Sequence, residues 1–252
     1  MDFEKIRKLA LQNTPKINLK NHPNYFRHDV IASLKENNCI GIELGVAGGH
    51  FSSRMIKSGK FKKFYGVDLY EDHHNVDEYI KALKFIGLLE NYVLIRMSFE
   101  EAINLFEDNF FDFIYFDGYA HTGEEGGKFF TDWYKKLKIG GVFAGDDYSD
   151  EWPLVKWAVN YMVQQLGCEL NITGRVENTH LNKYPSWFFI KEKNIDFQPN
   201  KTLLELGSNL REATRKKNSL EKKVLNLDDL KKILTKIKET SPDIAQKLKK
   251  ML

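Results

Sequence analysis

The chain has 252 residues, 42% hydrophobic and 29% charged, with a net charge of +3, which allows one α/β domain of about 200 residues and an appendage. No apolar run approaches the roughly 20 residues that a membrane span needs, and the charged first residues are not typical of a signal peptide. Two cysteines, Cys39 and Cys168, do not make a disulfide framework, so we expect a cytoplasmic protein without a membrane span.

Strand-like and helix-like segments alternate along most of the chain, after two amphipathic helices over residues 3–12 and 26–37. This alternation predicts βαβ units, and therefore a mostly parallel sheet with helices on both faces. The polar loop near 175–185 has no helical pattern, which predicts that the last two strands form an antiparallel hairpin at one edge. The predicted strands are 39–45, 63–69, 91–97, 112–117, 140–146, about 168–174 and 186–191, and the helices between them are 51–58, 76–89, 99–106, 124–137 and 152–166.

The pattern changes after Pro199, where leucines recur at helical spacing among Lys and Glu. Ser241-Pro242-Asp243 has the residues of a helix start, so we expect two or three helices in this tail. The sequence therefore predicts three regions: an N-terminal helical segment (1–37), an α/β domain (38–192) and a C-terminal helical tail (193–252).

The charges are unevenly distributed along the chain. Residues 201–252 carry 14 Lys/Arg against 7 Asp/Glu, whereas residues 1–200 carry 24 against 28. An acidic body is not the footprint of an enzyme that acts on nucleic acid, whose catalytic face would be basic. We expect the basic tail to be a solvated helical segment that packs on the body or pairs with a second copy to form a homo-oligomer.

A glycine-rich turn, Glu43-Leu44-Gly45-Val46-Ala47-Gly48-Gly49, follows the first strand of the α/β domain and opens a helix. Ligands bind at this end of open α/β sheets, and we expect Gly45, Ala47 and Gly48 beside a cofactor. The spacing differs from the G-x-G-x-x-G of dinucleotide sites. Because Glu43 would repel a pyrophosphate and attract an ammonium group, the turn favours S-adenosylmethionine (SAM) over NAD.

Asp68 ends the second strand of this domain, 23 residues after Gly45. An acid at this position can accept hydrogen bonds from both ribose hydroxyls of an adenosine, and a helix cap is the alternative role. The third strand ends near Ser98 and Phe99, a small polar residue and an aromatic that could bound the adenine edge. Ser98 also forms a plausible capping box with Glu101, so both interpretations stay open.

These features together resemble class I SAM-dependent methyltransferases. The resemblance lies in the glycine-rich turn, in Asp68, and in the segments 116–121 (FDGYAH) and 140–148 (GGVFAGDDY). The last two segments are most similar to metal-dependent sugar O-methyltransferases of the macrocin O-methyltransferase type and their relatives in bacterial surface-polysaccharide clusters. The resemblance covers roughly residues 38–192. It implies a Rossmann-like seven-stranded sheet with SAM over the ends of the first three strands.

The resemblance also implies a divalent cation, Mg²⁺ or another, held by Asp117, Asp146 and Asp147. These acids follow adjacent parallel strands, and three carboxylates at an apolar sheet edge repel one another unless a cation binds them. A metal there could take two vicinal hydroxyls and lower the pKa of one of them. The alternative is that Asp146 and Asp147 cap the helix that begins near Trp152.

The chemistry expected at this edge is an in-line displacement that removes a proton from a hydroxyl. His121, four residues after Asp117, is the candidate general base because the ordinary pKa of histidine is near neutral, and packing in its loop is the alternative. Asp117 is also expected at the cofactor and in catalysis. We expect a small-molecule substrate, an activated sugar by resemblance, although another compound with vicinal hydroxyls fits equally. A methyltransferase-like scaffold without catalysis is disfavoured because the acidic set, with Glu43 and Asp68, is intact.

Overall fold

The computed structural model describes residues 3–71, 74–119, 122–176 and 183–240. The chain divides into two compact units, Met1–Arg211 and Glu212–Leu252. The first unit contains the sheet, the N-terminal helical segment and the start of the predicted tail. Over its described part, the second unit is the continuation of one long helix.

The sheet is mixed but mostly parallel, with the strand order β1-β7-β8-β6-β5-β2-β3-β4. Only β8 of the described strands runs against its neighbours, β6 and β7. The central strands β2 and β5 are buried at nearly every position, as expected for parallel strands covered on both faces. The predicted Rossmann-like α/β fold is therefore confirmed. The strands are β1 Leu19–His22, β2 Cys39–Leu44, β3 Phe61–Asp68, β4 Tyr92–Arg96, β5 Phe111–Phe116, β6 Leu137–Gly145, β7 Leu170–Thr173 and β8 Trp187–Ile190.

The sheet has eight strands, and the prediction of seven is wrong in this respect. The additional strand, β1, pairs in parallel with β7 and forms that edge of the sheet. Its four residues, LKNH, are polar and mostly exposed, so no alternation of apolar residues marks them as a strand. The antiparallel pair of β7 and β8 consequently lies inside the sheet rather than at its edge.

The helices depart from the prediction at both ends of the chain. The amphipathic stretch 26–37 forms a 3₁₀ segment, Arg27–Ser33, and the described tail is one continuous helix rather than two or three. The predicted start at Ser241 lies outside the described residues. Across the described ranges, no helix combines the length and apolar character needed to cross a membrane. The helices are α1 Phe3–Asn13, α2 His50–Lys57, α3 Val76–Ala82 (continued by a π turn, Leu83–Gly87), α4 Phe99–Ala102 (continued by a 3₁₀ turn, Ile103–Leu105), α5 Gly123–Tyr134, α6 Pro153–Leu166 and α7 Lys201–Thr240.

Helix α5 begins with five residues of left-handed backbone, whose φ angles lie between 53° and 87°. Three of the five are glycines, but Glu124 and Glu125 adopt this conformation against the preference of residues with a Cβ. A side chain on Gly126 would collide with the backbone of Leu203, in the first turn of α7. Close packing against α7 therefore accompanies this unusual turn.

The core consists of two hydrophobic clusters that share the sheet between them. Along β5, Ile114 and Phe116 belong to the larger cluster, whereas Phe113 and Tyr115 belong to the smaller one. Successive side chains of a strand point to opposite faces, so the two clusters lie on opposite faces of the sheet. Val30 joins the smaller cluster and anchors the segment Arg27–Ser33 on the face that carries Tyr115.

Candidate active site

A pocket of about 360 Å³ opens at the carboxyl ends of β2, β5 and β6. From β2 the chain builds β3 and β4 on one side and then returns to build β5 and β6 on the other, which makes this edge a switch point where ligands bind. The pocket joins the glycine-rich turn to all three acids expected at a metal. Its lining consists of Arg27, Glu43, Gly45, Val46, Ala47, Gly48, His50, Phe51, His74, Asp117, Asp146, Asp147, Trp152, Lys183 and Tyr184.

The glycine-rich turn leaves its backbone accessible from the pocket. Gly45 has a φ of 100°, and a Cβ there would collide with the backbone carbonyl of Asp117. A Cβ on Gly48 would make only ordinary van der Waals contact with the His50 ring, at 3.5 Å, so this position is not crowded. Gly45, Ala47 and Gly48, which the sequence predicts beside the cofactor, all line the pocket. The turn thus has room for a ligand against its backbone.

Glu43 is the buried acid of the turn, with 1% of its surface exposed. The Ser52 hydroxyl donates a hydrogen bond to its Oε2 atom and lies 3.0 Å from the hydroxyl oxygen of Tyr92. Burial, and then the nearby carboxylate of Asp117, raise the pKa of Glu43 well above its ordinary value. A cationic ligand in the pocket would oppose both effects and favour the ionised form.

Asp68 braces the glycine-rich turn. Its Oδ2 atom accepts hydrogen bonds from the backbone N–H groups of Val46 and Ala47, both at 2.9 Å, and its Oδ1 atom accepts one from Tyr70 at 3.1 Å. The Tyr70 hydroxyl in turn donates to the carbonyl of Ala47. The structure thus places Asp68 directly behind the turn, outside the lining of the pocket. Its role as the ribose-binding acid stays a prediction.

Ser98 and Phe99 stabilise the fold around α4. Ser98 is the N-cap of α4 and forms a reciprocal capping box with Glu101, which is the alternative that the sequence left open. Phe99 is buried in the larger cluster and packs against Tyr119, with ring centroids 5.1 Å apart. Neither residue lines the pocket, although the Phe99 ring packs close to Gly118, the residue after Asp117.

The acids at the ends of β5 and β6 are joined by an arginine from the N-terminal segment. Arg27 Nη2 lies 2.5 Å from Asp117 Oδ2, and Nη1 lies 3.3 Å from Asp146 Oδ2. The other carboxylate oxygen of Asp146 accepts a hydrogen bond of 2.9 Å from Ser186. Asp147 follows with a φ of 61° and also lines the pocket. The predicted meeting of these three acids is thus observed, and Arg27 supplies a positive charge.

Burial dominates the electrostatics of the pair Asp146 and Asp147. It raises the pKa of both carboxyl groups, and the negative charge of Asp117 acts in the same direction. The Arg27 guanidinium opposes this rise at both residues because it stabilises their ionised forms. The acids are therefore only partly compensated by the one arginine.

A divalent metal does not fit this arrangement. Mg²⁺ or Ca²⁺ takes six or more oxygen ligands at about 2.0–2.6 Å. Arg27 already occupies Asp117 Oδ2 and Asp146 Oδ2, and Ser186 occupies the remaining oxygen of Asp146. Over the described part of the chain, no three His, Cys, Asp or Glu side chains stand close enough together to hold a metal ion. The predicted metal role of Asp117, Asp146 and Asp147 is therefore not supported.

His121, the predicted general base, lies outside the described residues, and so does His73. Two other histidines, His50 and His74, line the pocket. His74 Nδ1 lies 2.5 Å from Glu78 Oε2. Trp152, Lys183 and Tyr184 also line the pocket, and the ring centroids of Trp152 and Tyr184 lie 6.0 Å apart. Tyr148 and Trp133, by contrast, are buried in the core.

Glu124 is a further buried acid near the pocket. It is 2% exposed, lies in the left-handed start of α5, and its Oε2 atom has no hydrogen-bond partner in the described structure. Burial, followed by the charges of Asp147 and Asp117, raises its pKa well above the ordinary value. Non-glycine residues held in this strained conformation concentrate at functional sites.

Arg27 is the site residue that the sequence analysis missed. A signal for it was present, because Arg27, Val30 and Leu34 follow the i, i+3, i+7 spacing of one helix face. A single cation on an otherwise apolar face is seldom buried without an acidic partner. The spacing therefore indicated a buried ion pair, although not the identity of the partner.

Most of the pocket lining, although not Arg27, Trp152, Lys183 or Tyr184, belongs to a region that is similar to known methyltransferases. Residues 42–148 match the model of a methyltransferase domain. That range begins in β2 and ends directly after the acids of β6, so it contains Glu43, Asp68, Asp117 and the whole glycine-rich turn. The match supports a class I SAM-dependent methyltransferase, as the sequence predicts. No curated protein matches the chain.

Solved structures share the fold at low sequence identity. A spermidine synthase bound to the transition-state analogue AdoDATO is 18% identical with a TM-score of 0.50, and the alignment covers 69% of this chain and 61% of the synthase. The chain thus spans less than two thirds of that enzyme. An rRNA methylase from Streptococcus thermophilus is 20% identical with a TM-score of 0.45, over 68% of this chain and 98% of the methylase. The synthase supports the α/β fold and nothing finer.

Proposed function

We propose that the chain is a SAM-dependent O-methyltransferase that acts on a hydroxyl of a sugar, in a nucleotide-linked form or as a precursor of a surface polysaccharide. The observation that carries this proposal is that the glycine-rich turn and the acids that follow β5 and β6 line one pocket. A methyl donor on the turn and a hydroxyl among the acids would then be neighbours, as a direct transfer requires.

The turn suits SAM because it offers backbone space next to a buried acid. Gly45 lets the turn approach the backbone of Asp117 closely, an added Cβ on Gly48 would have no neighbour closer than 3.5 Å, and Glu43 and Asp117 line the same pocket. SAM carries an ammonium group and a sulfonium and no phosphate, so acids in the pocket favour it over a dinucleotide. When bound, SAM supplies a methyl group to a nucleophile.

The chain's own residues would orient the acceptor and receive its proton. The hydroxyl oxygen forms a bond to the methyl carbon as the carbon–sulfur bond breaks, and the hydroxyl proton passes to a base. His121 is the proposed base, because it follows Asp117 by four residues in the sequence. Asp147 faces the same pocket and could hold the hydroxyl by accepting its hydrogen bond. No step passes through a metal.

Two aromatic residues and a lysine in the pocket lining support the proposal of a sugar acceptor. Trp152 and Tyr184 offer apolar ring surfaces with polar edges, the type of surface that packs against a sugar ring. Lys183 lines the pocket beside them and could pair with a phosphate of an activated sugar. The resemblance to sugar O-methyltransferases points to the same substrate class.

Calorimetry with SAM and with NAD tests the cofactor, and mass spectrometry tests the acceptor. We expect heat on titration with SAM and none with NAD; binding of NAD alone would contradict the proposal. Incubation with SAM and a panel of nucleotide sugars should give a product heavier by one CH₂ group. A parallel panel of catechol-like compounds distinguishes the acceptor class, because methylation confined to those compounds would exclude the sugar.

A further inference from the structure

The guanidinium of Arg27 is built into the acidic end of the pocket. It contacts Asp117 at 2.5 Å and Asp146 at 3.3 Å, and Arg27 is only 7% exposed. Its central carbon lies 4.7 Å from the ring centroid of Phe51 and 5.1 Å from that of Tyr115. Aromatic faces stabilise a guanidinium through their quadrupoles, so four side chains hold this group in place.

We infer that Arg27 is the resident cation of this site, and that the reaction of this chain needs no divalent metal. The inference rests on the proposed function for its catalytic meaning. The proposed function names the methyl donor and the class of acceptor. The inference adds which group balances the negative charge of the acids.

Three of the six carboxylate oxygens of Asp117, Asp146 and Asp147 are already in use, including both oxygens of Asp146. A metal bound by Asp117 and Asp146 would have to displace both nitrogens of Arg27 and leave the guanidinium buried between two rings. An unpaired buried charge of this kind is strongly unfavourable. The ring of Tyr115 is itself fixed, because its hydroxyl lies 2.9 Å from Ser186 Oγ, which also donates to Asp146.

Arg27 acts through the acids as a positioning residue. Its two nitrogens fix the separation between the end of β5 and the end of β6 and reduce the repulsion between Asp117 and Asp146. Asp147 stays at the pocket surface without a contact to Arg27 of this kind. The arrangement leaves Asp147 available to an acceptor hydroxyl while its neighbour is tied to the arginine.

Removal of the arginine should convert the acids into a metal site. In Arg27→Ala, three carboxylates lose their cation, so a divalent ion becomes the group that compensates them. We expect metal-free wild-type protein to leave the electron paramagnetic resonance spectrum of added Mn²⁺ unchanged, whereas Arg27→Ala should bind about one equivalent. Stoichiometric binding of Mn²⁺ by the wild type would overturn the inference. The titration of the wild type needs no substrate, and its result does not depend on whether Arg27→Ala folds.

Turnover gives the second measurement. We expect EDTA to leave wild-type turnover unchanged, and Arg27→Ala to lower it about 100-fold, the scale of a misplaced catalytic group. Added guanidinium ion should restore part of the activity of Arg27→Ala, and Arg27→Lys should retain more than the alanine variant. The exposed Arg215→Ala serves as the matched control and should behave as wild type.

Each result separates this inference from the proposed function. Abolition of wild-type turnover by EDTA, with recovery on addition of Mg²⁺, would overturn the resident-cation inference and leave SAM-dependent methylation intact. Failure of the wild type to bind SAM would overturn the proposed function, and the Mn²⁺ titration would still decide whether Arg27 excludes a metal.

Discussion

The two halves of the pocket hold their acids by different means. In the cofactor half, which consists of the glycine-rich turn with Glu43 and Asp68, the carboxylates are bound by backbone N–H groups and a hydroxyl from nearby elements. In the acceptor half, which consists of Asp117, Asp146 and Asp147, a cation arrives from a segment 90 residues before Asp117. The contacts of the first half span 9 to 22 residues of the chain, whereas the ion pair of the second spans 90.

The acceptor half should carry the largest effect on chemistry. We expect Asp147→Ala to lower turnover by about 100-fold or more, because it removes a carboxylate at the pocket surface where an acceptor hydroxyl would bind. SAM affinity, measured by calorimetry, should stay close to that of the wild type. Asp150→Ala, an exposed neighbour paired with Lys156, is the control. A folded Asp147→Ala protein that no longer binds SAM would show that the two halves are not separate.

The cofactor half should carry the largest effect on the fold. Gly45→Ala combines a positive φ with a collision against the Asp117 carbonyl, so we expect the free energy of unfolding to fall by about 3 kcal/mol. Gly59 also has a positive φ, of 73°, but no atom lies within 4 Å of its added Cβ. Gly59→Ala should therefore cost about 1 kcal/mol. Equal losses in chemical denaturation would argue against the close approach of the turn to β5.

The brace behind the turn should have a smaller effect. Asp68→Asn replaces one acceptor oxygen by a donor that faces N–H groups, so we expect a loss of about 2 kcal/mol in unfolding free energy and weaker SAM binding. The exposed Asp77→Asn is the control. A variant as stable as the wild type that nonetheless loses SAM would indicate that Asp68 contacts the cofactor and does not brace the turn.

Glu124 gives the smallest and most selective effect. Its raised pKa means that folding favours the neutral carboxyl, so the wild type loses stability as the pH rises above the ordinary pKa of glutamate. Glu124→Gln stays neutral and should be more stable than the wild type by about 1 kcal/mol at high pH. The difference should shrink as the pH is lowered, when thermal unfolding is followed at several pH values. The matched control is Glu205→Gln, at an exposed glutamate; the same trend in both variants would contradict the buried state of Glu124.

Sequence reasoning found the features that depend on neighbours along the chain. The apolar runs of β2, β5 and β6 place Glu43, Asp117 and Asp146 at strand ends, and parallel strands bring those ends to one edge. Ser98 with Glu101 was recognisable as a capping box for the same reason. These patterns are local, and tertiary contacts did not override them.

The features that sequence reasoning missed depend on distant contacts. Arg27 finds its acids only when the segment Arg27–Ser33 packs on the sheet face of Tyr115, and β1 forms only because β7 offers a free edge. Three acids at one edge predict a metal only if no side chain neutralises them, and the buried Arg27 supplies that positive charge. The pattern of apolar residues along the chain does not indicate the ion pairs of Arg27 or the pairing of β1 with β7.

The left-handed start of α5 has a consequence for sequence variation. Positions 124 and 125 have the backbone angles of a left-handed helix, which is the helix that mirror-image amino acids would form. A saturation mutagenesis library should therefore invert the usual helical ranking over this stretch, with Gly and Asn tolerated better than Ala, and with Val and Ile eliminated.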